Sequence, residues 1–290
     1  MGSQRAVVKF NEPRAKRRLG QHFLKDKGVI DRIVRWIHPS ERDVILEIGA
    51  GRGALSARLA SRAYRLIAVE LDKDCIPILT QTLAPYESAC VVAGDILQIN
   101  LRELLFPLCQ PRLRLRIAGN LPYNIATSII ELLLQLDLPI SDMFFMLQLE
   151  VAQRILAKPG SREYGYLPVL CQHRAEVRMG FKISPSCFVP RPKVVSATIS
   201  FNLKPSPLTT ECEAAFETLT KAAFSHRRKT LANSLARRPE LAKIAHILLE
   251  RAGIDGSRRP ESLSVAEYEQ LAQVFYESFL SLSGRSEART

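Results

Sequence analysis

The chain has 290 residues, 47% of them apolar, and carries a formal net charge of +12 at pH 7. That apolar content supports a sizeable core and argues against global disorder, and no apolar run approaches the roughly 18 to 20 residues of a membrane span. The excess of lysine and arginine points to a polyanionic partner, RNA or DNA before a membrane surface.

Residues 1 to 24 form a basic arm in which Arg5, Lys9, Arg14, Lys16, Arg17 and Arg18 face one acid, Glu12. The arm lacks the apolar stretch of a signal peptide. Arg14, Lys16, Arg17 and Arg18 are candidates for phosphate contact. Helical apolar spacing follows over Val29 to Ile37. Strands and helices then alternate. Strands are expected at Val44 to Ile48, Leu66 to Val69, Ala89 to Ala93, Leu113 to Ala118 and Met143 to Leu147. Helices are expected at Ala54 to Arg62, Asp72 to Ala84, Ala126 to Leu136 and Val151 to Ala157. Such alternation predicts a parallel sheet with helices on both faces, and Val194 to Phe201 is a candidate late strand. Lys204-Pro205-Ser206-Pro207 reads as a linker. Beyond it, helical periodicity near 211 to 224, 229 to 237, 241 to 252 and 264 to 280 predicts a small all-α domain.

Of the six cysteines (Cys75, Cys90, Cys109, Cys171, Cys187 and Cys212), none forms a C-x-x-C pair. A zinc site is therefore not expected, and scattered thiols in a chain this long read as reduced and cytoplasmic.

Three strand ends carry cofactor chemistry. Glu47-Ile48-Gly49-Ala50-Gly51-Arg52-Gly53 sits between the first sheet strand and a helix, where glycines allow a sharp turn and close backbone approach to a ligand. Taken alone it suits a nicotinamide cofactor and S-adenosylmethionine equally, since it also satisfies G-x-G-x-x-G/A. Glu70 follows the second strand, about 20 residues on, where an acid can bind ribose hydroxyls. Asp95 follows the third, placed to accept from an adenine amine with Ile96 packed on the ring, or else to cap a helix.

The fourth strand end, Asn120-Leu121-Pro122-Tyr123, decides between the two cofactors in favour of methyl transfer. An amide oxygen accepts from an exocyclic amine. Pro122 biases Leu121 to an extended conformation, so that a main-chain carbonyl of Leu121 or Pro122 can face the same amine. Tyr123 offers a ring for the base to stack on. The motif lacks the cysteine that carbon methylation usually needs. Asn120 and that carbonyl would hold the amine hydrogens and aim the lone pair at the cofactor methyl, a catalysis of position and electrostatics. Phe188, at the start of Phe188-Val189-Pro190-Arg191-Pro192-Lys193-Val194, is a candidate to stack on the other face of the base.

These motifs, with Gln21-His22-Phe23-Leu24 after the basic arm, stand in the order found in the rRNA adenine N6-methyltransferases. Ala223 to Thr230 and Asn233-Ser234-Leu235 resemble the small-subunit dimethyladenosine transferase branch, and the resemblance covers roughly residues 14 to 280. It implies an α/β fold, a Rossmann-like class I methyltransferase domain (25–203) after the arm (1–24) and before a small all-α rRNA-docking domain (208–290). It implies S-adenosylmethionine as donor and cofactor contacts from His22, Leu24, Gly49, Glu70, Asp95 and Asn120, with Gly51, Leu71 and Ile96 beside them. It implies dimethylation of two adjacent adenosines near the 3′ end of small-subunit rRNA within a pre-ribosomal particle, by a cytoplasmic monomer without metal. Arg227, Arg228 and Lys229 are further candidates for rRNA phosphate contact. Two rival readings share the fold: a large-subunit methyltransferase of the macrolide-resistance type, against which Phe224 to Thr230 speaks, and a ribosome-assembly or transcription factor that only binds.

Overall fold

The computed structural model describes residues 15–226 and 228–287, with the side chains of residue 17 and of residues from 279 onward excepted. By packing, the chain divides into two compact units. The first takes in the described residues up to Leu149 together with Met179–Ser200. The second takes in Glu150–Arg178 and the described residues from Phe201 onward.

In chain order the elements are β1 (Phe23–Leu24), α1 (Lys27–Ile37), β2 (Asp43–Ile48), α2 (Ser56–Ala60), β3 (Arg65–Glu70), α3 (Ile76–Leu83), β4 (Ala89–Ala93), α4 (Leu101–Leu105), β5 (Arg114–Asn120) and α5 (Ala126–Gln135). There follow β6 (Ile140–Gln148), α6 (Leu149–Ile155), α7 (Tyr166–Arg174), β7 (Ala175–Ile183), β8 (Phe188–Val189), β9 (Ser196–Leu203), α8 (Thr210–Ala223), α9 (Leu231–Leu235), α10 (Ala245–Arg251) and α11 (Val265–Glu287). One sheet has the order β4-β3-β2-β5-β6-β9-β7, and β1 pairs with β8 in a small separate ladder. The pairs from β4 across to β6 are parallel. Chain order reverses between β2 and β5, and at such a switch point the crevice beyond the carboxyl ends of the strands receives ligands. The register pairs Ile48 with Val69 on one side and with Gly119 on the other. This sets the ends that carry Gly49, Glu70 and Asn120 level with one another.

β2 is buried along its whole length, as expected of a central strand covered on both faces. Helix α1 turns Ile30, Ile33, Val34 and Ile37 inward, each contributing roughly 1.5–3 kcal/mol by burial. Its first turn is capped by Asp26, which accepts from the Val29 N–H at 2.9 Å, and it ends at His38 in the left-handed conformation, φ 53°. Helix α3 starts at Ile76, four residues later than periodicity predicts. Asp72 to Cys75 form a turn in which the Cys75 N–H donates to the Asp72 carbonyl, and the helix takes Pro77 in its first turn.

In the second unit, Phe216, Leu219, Leu231, Leu235, Leu248, Tyr268 and Leu271 form the core, joined by Tyr164 and Val169. This packing groups 150–178 with the later helices, beyond the span 208–290 read from the linker. His173 is fully buried there. It stacks on Phe216 with ring centres 4.0 Å apart, and its ring nitrogens face Glu269 Oε1 at 2.8 Å and Glu213 Oε1 at 3.0 Å. Burial pushes the Glu213 carboxyl up, but hydrogen bonds with His173 and Ser206 and the charge of Arg174 outweigh it and hold it down at about 2. A carboxyl lowered from its ordinary 4.5 stabilises fully above that value and loses its contribution as pH falls towards the folded one. The native chain is therefore expected to exceed Glu213→Gln in urea midpoint at pH 6, with the gap closing between pH 4.5 and 2. A gap that does not change with pH would refute the linkage.

Candidate active site

A cavity of about 480 Å³ lies at the carboxyl ends of β2, β3, β4 and β5, within the first unit. The turn after β2 enters it in the left-handed region, with φ 70° at Gly49 and 58° at Gly51. The N–H groups of Gly49 and Ala50 both donate to the Val69 carbonyl, at 3.0 and 3.1 Å. A Cβ on Gly49 would stand 3.4 Å from the Asn120 carbonyl oxygen, and one on Gly51 would stand 3.2 Å from the Phe23 ring. The left-handed backbone at both positions, with the Phe23 ring close to Gly51, disfavours side chains in this turn.

Glu70 braces this turn. Its Oε2 accepts from the Gly51 N–H at 2.6 Å and its Oε1 from the Asp72 N–H at 2.7 Å. Burial raises its carboxyl, against the lowering effect of these two N–H groups. Glu47 lies deeper, 2% exposed, and burial pushes its carboxyl up to about 8. Its Oε2 has no hydrogen-bond partner among the described residues. Asp95 accepts from the Leu97 N–H at 3.0 Å and its carbonyl from Gln98 and Ile99, so it serves as a turn cap as well as a wall of the cavity. Ile96 is buried, while Leu71 stands 44% exposed at the rim.

The segment after the basic arm closes another side. β1 pairs antiparallel with β8, Phe23 against Val189 and Leu24 against Phe188. Gln21 Nε2 donates to Asp72 Oδ2 at 2.8 Å, and Lys16 Nζ lies 2.5 Å from Asp72 Oδ1 and 2.6 Å from Asp74 Oδ2. The two carboxylates share the Lys16 ammonium, and their hydrogen bonds raise its pKa. Arg52 lies over the Phe23 ring, 4.3 Å from its centre.

On the remaining side, Asn120 Nδ2 donates to the His22 carbonyl at 2.9 Å. Asn120 Oδ1 is left buried without a partner among the described residues. The Tyr123 hydroxyl meets Ser196 Oγ at 2.6 Å, and its ring stacks on that of His22, 5.3 Å between centres. The Pro122 carbonyl accepts from the Ile125 N–H at 3.2 Å.

His22, Leu24, Gly49, Gly51, Glu70, Leu71, Asp95, Ile96 and Asn120 through Tyr123 thus line one cavity. Phe188 does not. It is 1% exposed and packs in the core with Leu24 and Ile183, because strand alternation in β8 turns it inward and leaves its neighbour Val189 at the cavity. The expected stacking of Phe188 on a base is corrected accordingly. Arg18, Arg228 and Lys229 are exposed; Arg14, Arg227 and the side chain of Arg17 lie outside the described residues. No cluster fit to hold a metal ion occurs among the described residues, nor any helix long and apolar enough to cross a membrane. Sequence reasoning passed over Asp72 and Ser196, whose partners are remote in the chain, and gave no role of their own to Gln21, which opens the motif after the arm, or to Glu47, which opens the glycine motif.

A mostly parallel sheet in this strand order, with a glycine turn, an acid, an aspartate and Asn-Leu-Pro-Tyr on successive carboxyl ends, defines a class I S-adenosylmethionine-dependent methyltransferase. Residues 12–277 match the family model of ribosomal RNA adenine dimethylase. A "Ribosomal RNA small subunit methyltransferase A" of Pseudomonas fluorescens is 43% identical over 262 residues, covering 89% of this chain and 93% of that protein. One of Saccharophagus degradans is 41% identical over 264 residues, covering 91% and 95%. Among solved structures, a dimethyladenosine transferase from Plasmodium falciparum shares the fold with a TM-score of 0.75 at 24% identity, covering 88% of this chain and 98% of that one. The 23S rRNA methyltransferase ErmE shares it with a TM-score of 0.62, also at 24% identity, covering 87% and 98%. The chain belongs to the ribosomal RNA adenine dimethylase family.

Proposed function

We propose that the chain dimethylates N6 of two adjacent adenosines near the 3′ end of small-subunit rRNA during assembly of that subunit, yielding N6,N6-dimethyladenosine. The observation that carries the amine-directed chemistry is Asn120: its Nδ2 is committed to the His22 carbonyl, and its oxygen is buried at the cavity without a partner among the described residues. An unsatisfied buried acceptor is costly, and an amine N–H is the partner it lacks. The small-subunit assignment follows the relatives at about 40% identity, all named for that substrate.

S-adenosylmethionine supplies an electrophilic methyl group. The residues fit such a donor. Glu70 and Asp95 offer acceptors for ribose and adenine, and Ile96 and Leu71 offer apolar walls. The turn at Gly49 and Gly51 admits close backbone approach, and Glu47 Oε2, without a partner among the described residues, offers a further acceptor. Asn120 Oδ1 and a main-chain carbonyl hold the two amine hydrogens of the target, which leaves its lone pair free. The carbonyl of Leu121, or that of Pro122 with the lone pair left beside its bond from Ile125, supplies that second acceptor. Tyr123 stacks on the extruded base and offsets part of the few kcal/mol of lost base stacking. Monomethyladenosine retains one hydrogen and is still held; dimethyladenosine has none and leaves. The surplus proton goes to water.

Incubation with labelled S-adenosylmethionine and unmethylated small or large subunits tests this reading. Dimethyladenosine in the small-subunit rRNA is expected. Label in the large subunit alone would replace the reading with the macrolide-resistance one, and no label with either would favour the binding factor.

Arg18, Arg228 and Lys229 are proposed to meet rRNA phosphates, the protein acting as a cytoplasmic monomer. Each phosphate neutralised on single-stranded RNA contributes roughly 0.7 to the slope of log affinity against log salt. Replacing Arg228 and Lys229 by glutamine should flatten the slope measured by filter binding by about 1.4. An unchanged slope would assign both to the solvated surface.

A further inference from the structure

We infer that His22 is a positioning residue for the target base, its carbonyl bracing Asn120 and its ring bracing Tyr123. The inference rests on the role proposed for Asn120 and Tyr123. Three contacts support it. The His22 carbonyl accepts from Asn120 Nδ2 at 2.9 Å. An amide has one donor end and one acceptor end, so this bond decides that the oxygen, and not the NH₂ group, is offered to an incoming amine. The imidazole lies against the Tyr123 ring at 5.3 Å between centres and 29° between planes, while Ser196 holds the hydroxyl at 2.6 Å. One face of Tyr123 is therefore supported and its tip is tethered, which leaves the opposite face for a base. The third contact joins His22 Nδ1 to the Pro190 carbonyl at 2.7 Å. A carbonyl only accepts, so Nδ1 carries the proton in this bond, and the imidazole is tied to the β8 loop.

The segment that carries His22 is anchored on both sides. Gln21 and Lys16 bind Asp72, whose own N–H donates to Glu70 at 2.7 Å, and Leu24 pairs with Phe188 in the β1–β8 ladder. The same strap thus reaches the acid proposed for the ribose through Asp72 and touches directly the amide proposed for the base. Main chain and side chain of His22 do separable work. The carbonyl sets the amide whatever residue stands at 22, whereas the ring supports Tyr123 only if it is flat.

Three variants separate the two roles, each measured for S-adenosylmethionine affinity by calorimetry and for kcat and KM on unmethylated small subunits. His22→Ala removes ring and donor, His22→Asn removes the ring and keeps an N–H donor, and His22→Phe keeps a ring and removes the donor. The value of an aromatic pair corresponds to a loss of roughly two- to tenfold in kcat for His22→Ala and His22→Asn. Cofactor affinity should stay within about twofold of native, and His22→Phe should recover most of the lost kcat. Cofactor affinity that falls with kcat in His22→Ala and His22→Phe but holds in His22→Asn would make the imidazole a cofactor ligand and overturn the inference. Equal kcat losses in all three variants, or no loss in any, would also overturn it. Asn120→Ala keeps the two levels apart. If that variant turns over normally, the amine reading itself fails. If it is crippled while His22→Ala is normal, the brace alone fails.

Discussion

Asn120→Ala is expected to slow methyl transfer by roughly 10²- to 10³-fold, the scale of losing one preorganised polar group at a transition state. The side chain stands at the end of β5, where Asn120 pairs with Met146 of β6 and the preceding Gly119 with Ile48 of β2, so the backbone is held and survives the truncation. Its oxygen has no hydrogen bond to lose within the described residues; only the bond from Nδ2 to the His22 carbonyl disappears. Fold and most of the affinity for S-adenosylmethionine should therefore remain, and the loss should fall in kcat. Single-turnover methylation of small subunits beside calorimetry of cofactor binding separates these quantities. Near-native turnover would remove Asn120 from the chemistry.

Arg116→Ala is expected to destabilise the first unit by about 3–5 kcal/mol, the range for breaking a buried ion pair from one side. Arg116 lies on β5 and is 4% exposed. Its Nε and Nη2 grip Asp142 of β6 at 2.7 and 3.0 Å, and its Nη1 reaches Asp43 of β2 at 2.8 Å. Nη2 also donates to the Ile37 carbonyl at 2.8 Å, at the end of α1. Burial opposes the charge, yet the two carboxylates raise its pKa overall. Alanine would leave Asp43, itself fully buried, with Arg114 and the Ser40 N–H as its remaining partners among the described residues. Lysine cannot reproduce the two-pronged grip and should recover only part of the loss. Urea unfolding reads both variants; a change below about 1 kcal/mol would show that the network contributes little beyond mutual neutralisation.

Arg116 also shows where sequence reading stops. The run Leu113 to Ala118 reads as an apolar strand, and periodicity alone leaves its arginines facing solvent. Once β5 is flanked by β2 and β6, Arg116 has carboxylates from both neighbours within reach. Strand β7 is the opposite case. Ala175, Val177, Met179, Phe181 and Ile183 alternate with Glu176, Arg178, Gly180 and Lys182, and its burial alternates in step. The signal was present in the chain, yet no strand was expected there. The short helix Leu101–Leu105 carries too few turns for a period to register.

The glycine turn, Glu70, Asp95 and the Asn-Leu-Pro-Tyr tetrad were legible because each sits where an apolar run stops, and the strand-to-helix alternation places all such stops on one edge of a parallel sheet. Those features depend on local spacing and on the fixed hand of βαβ connections, which the sequence carries by itself. Tertiary structure decided what depends on contacts across long separations. Lys16 was paired with Asp72, 56 residues away. Phe188 was turned into the core by its pairing with Leu24, and the Asn120 amide was oriented by a carbonyl 98 residues earlier in the chain. A side chain's residue type states which bonds it can make; only the folded register states which partner is close enough to take them.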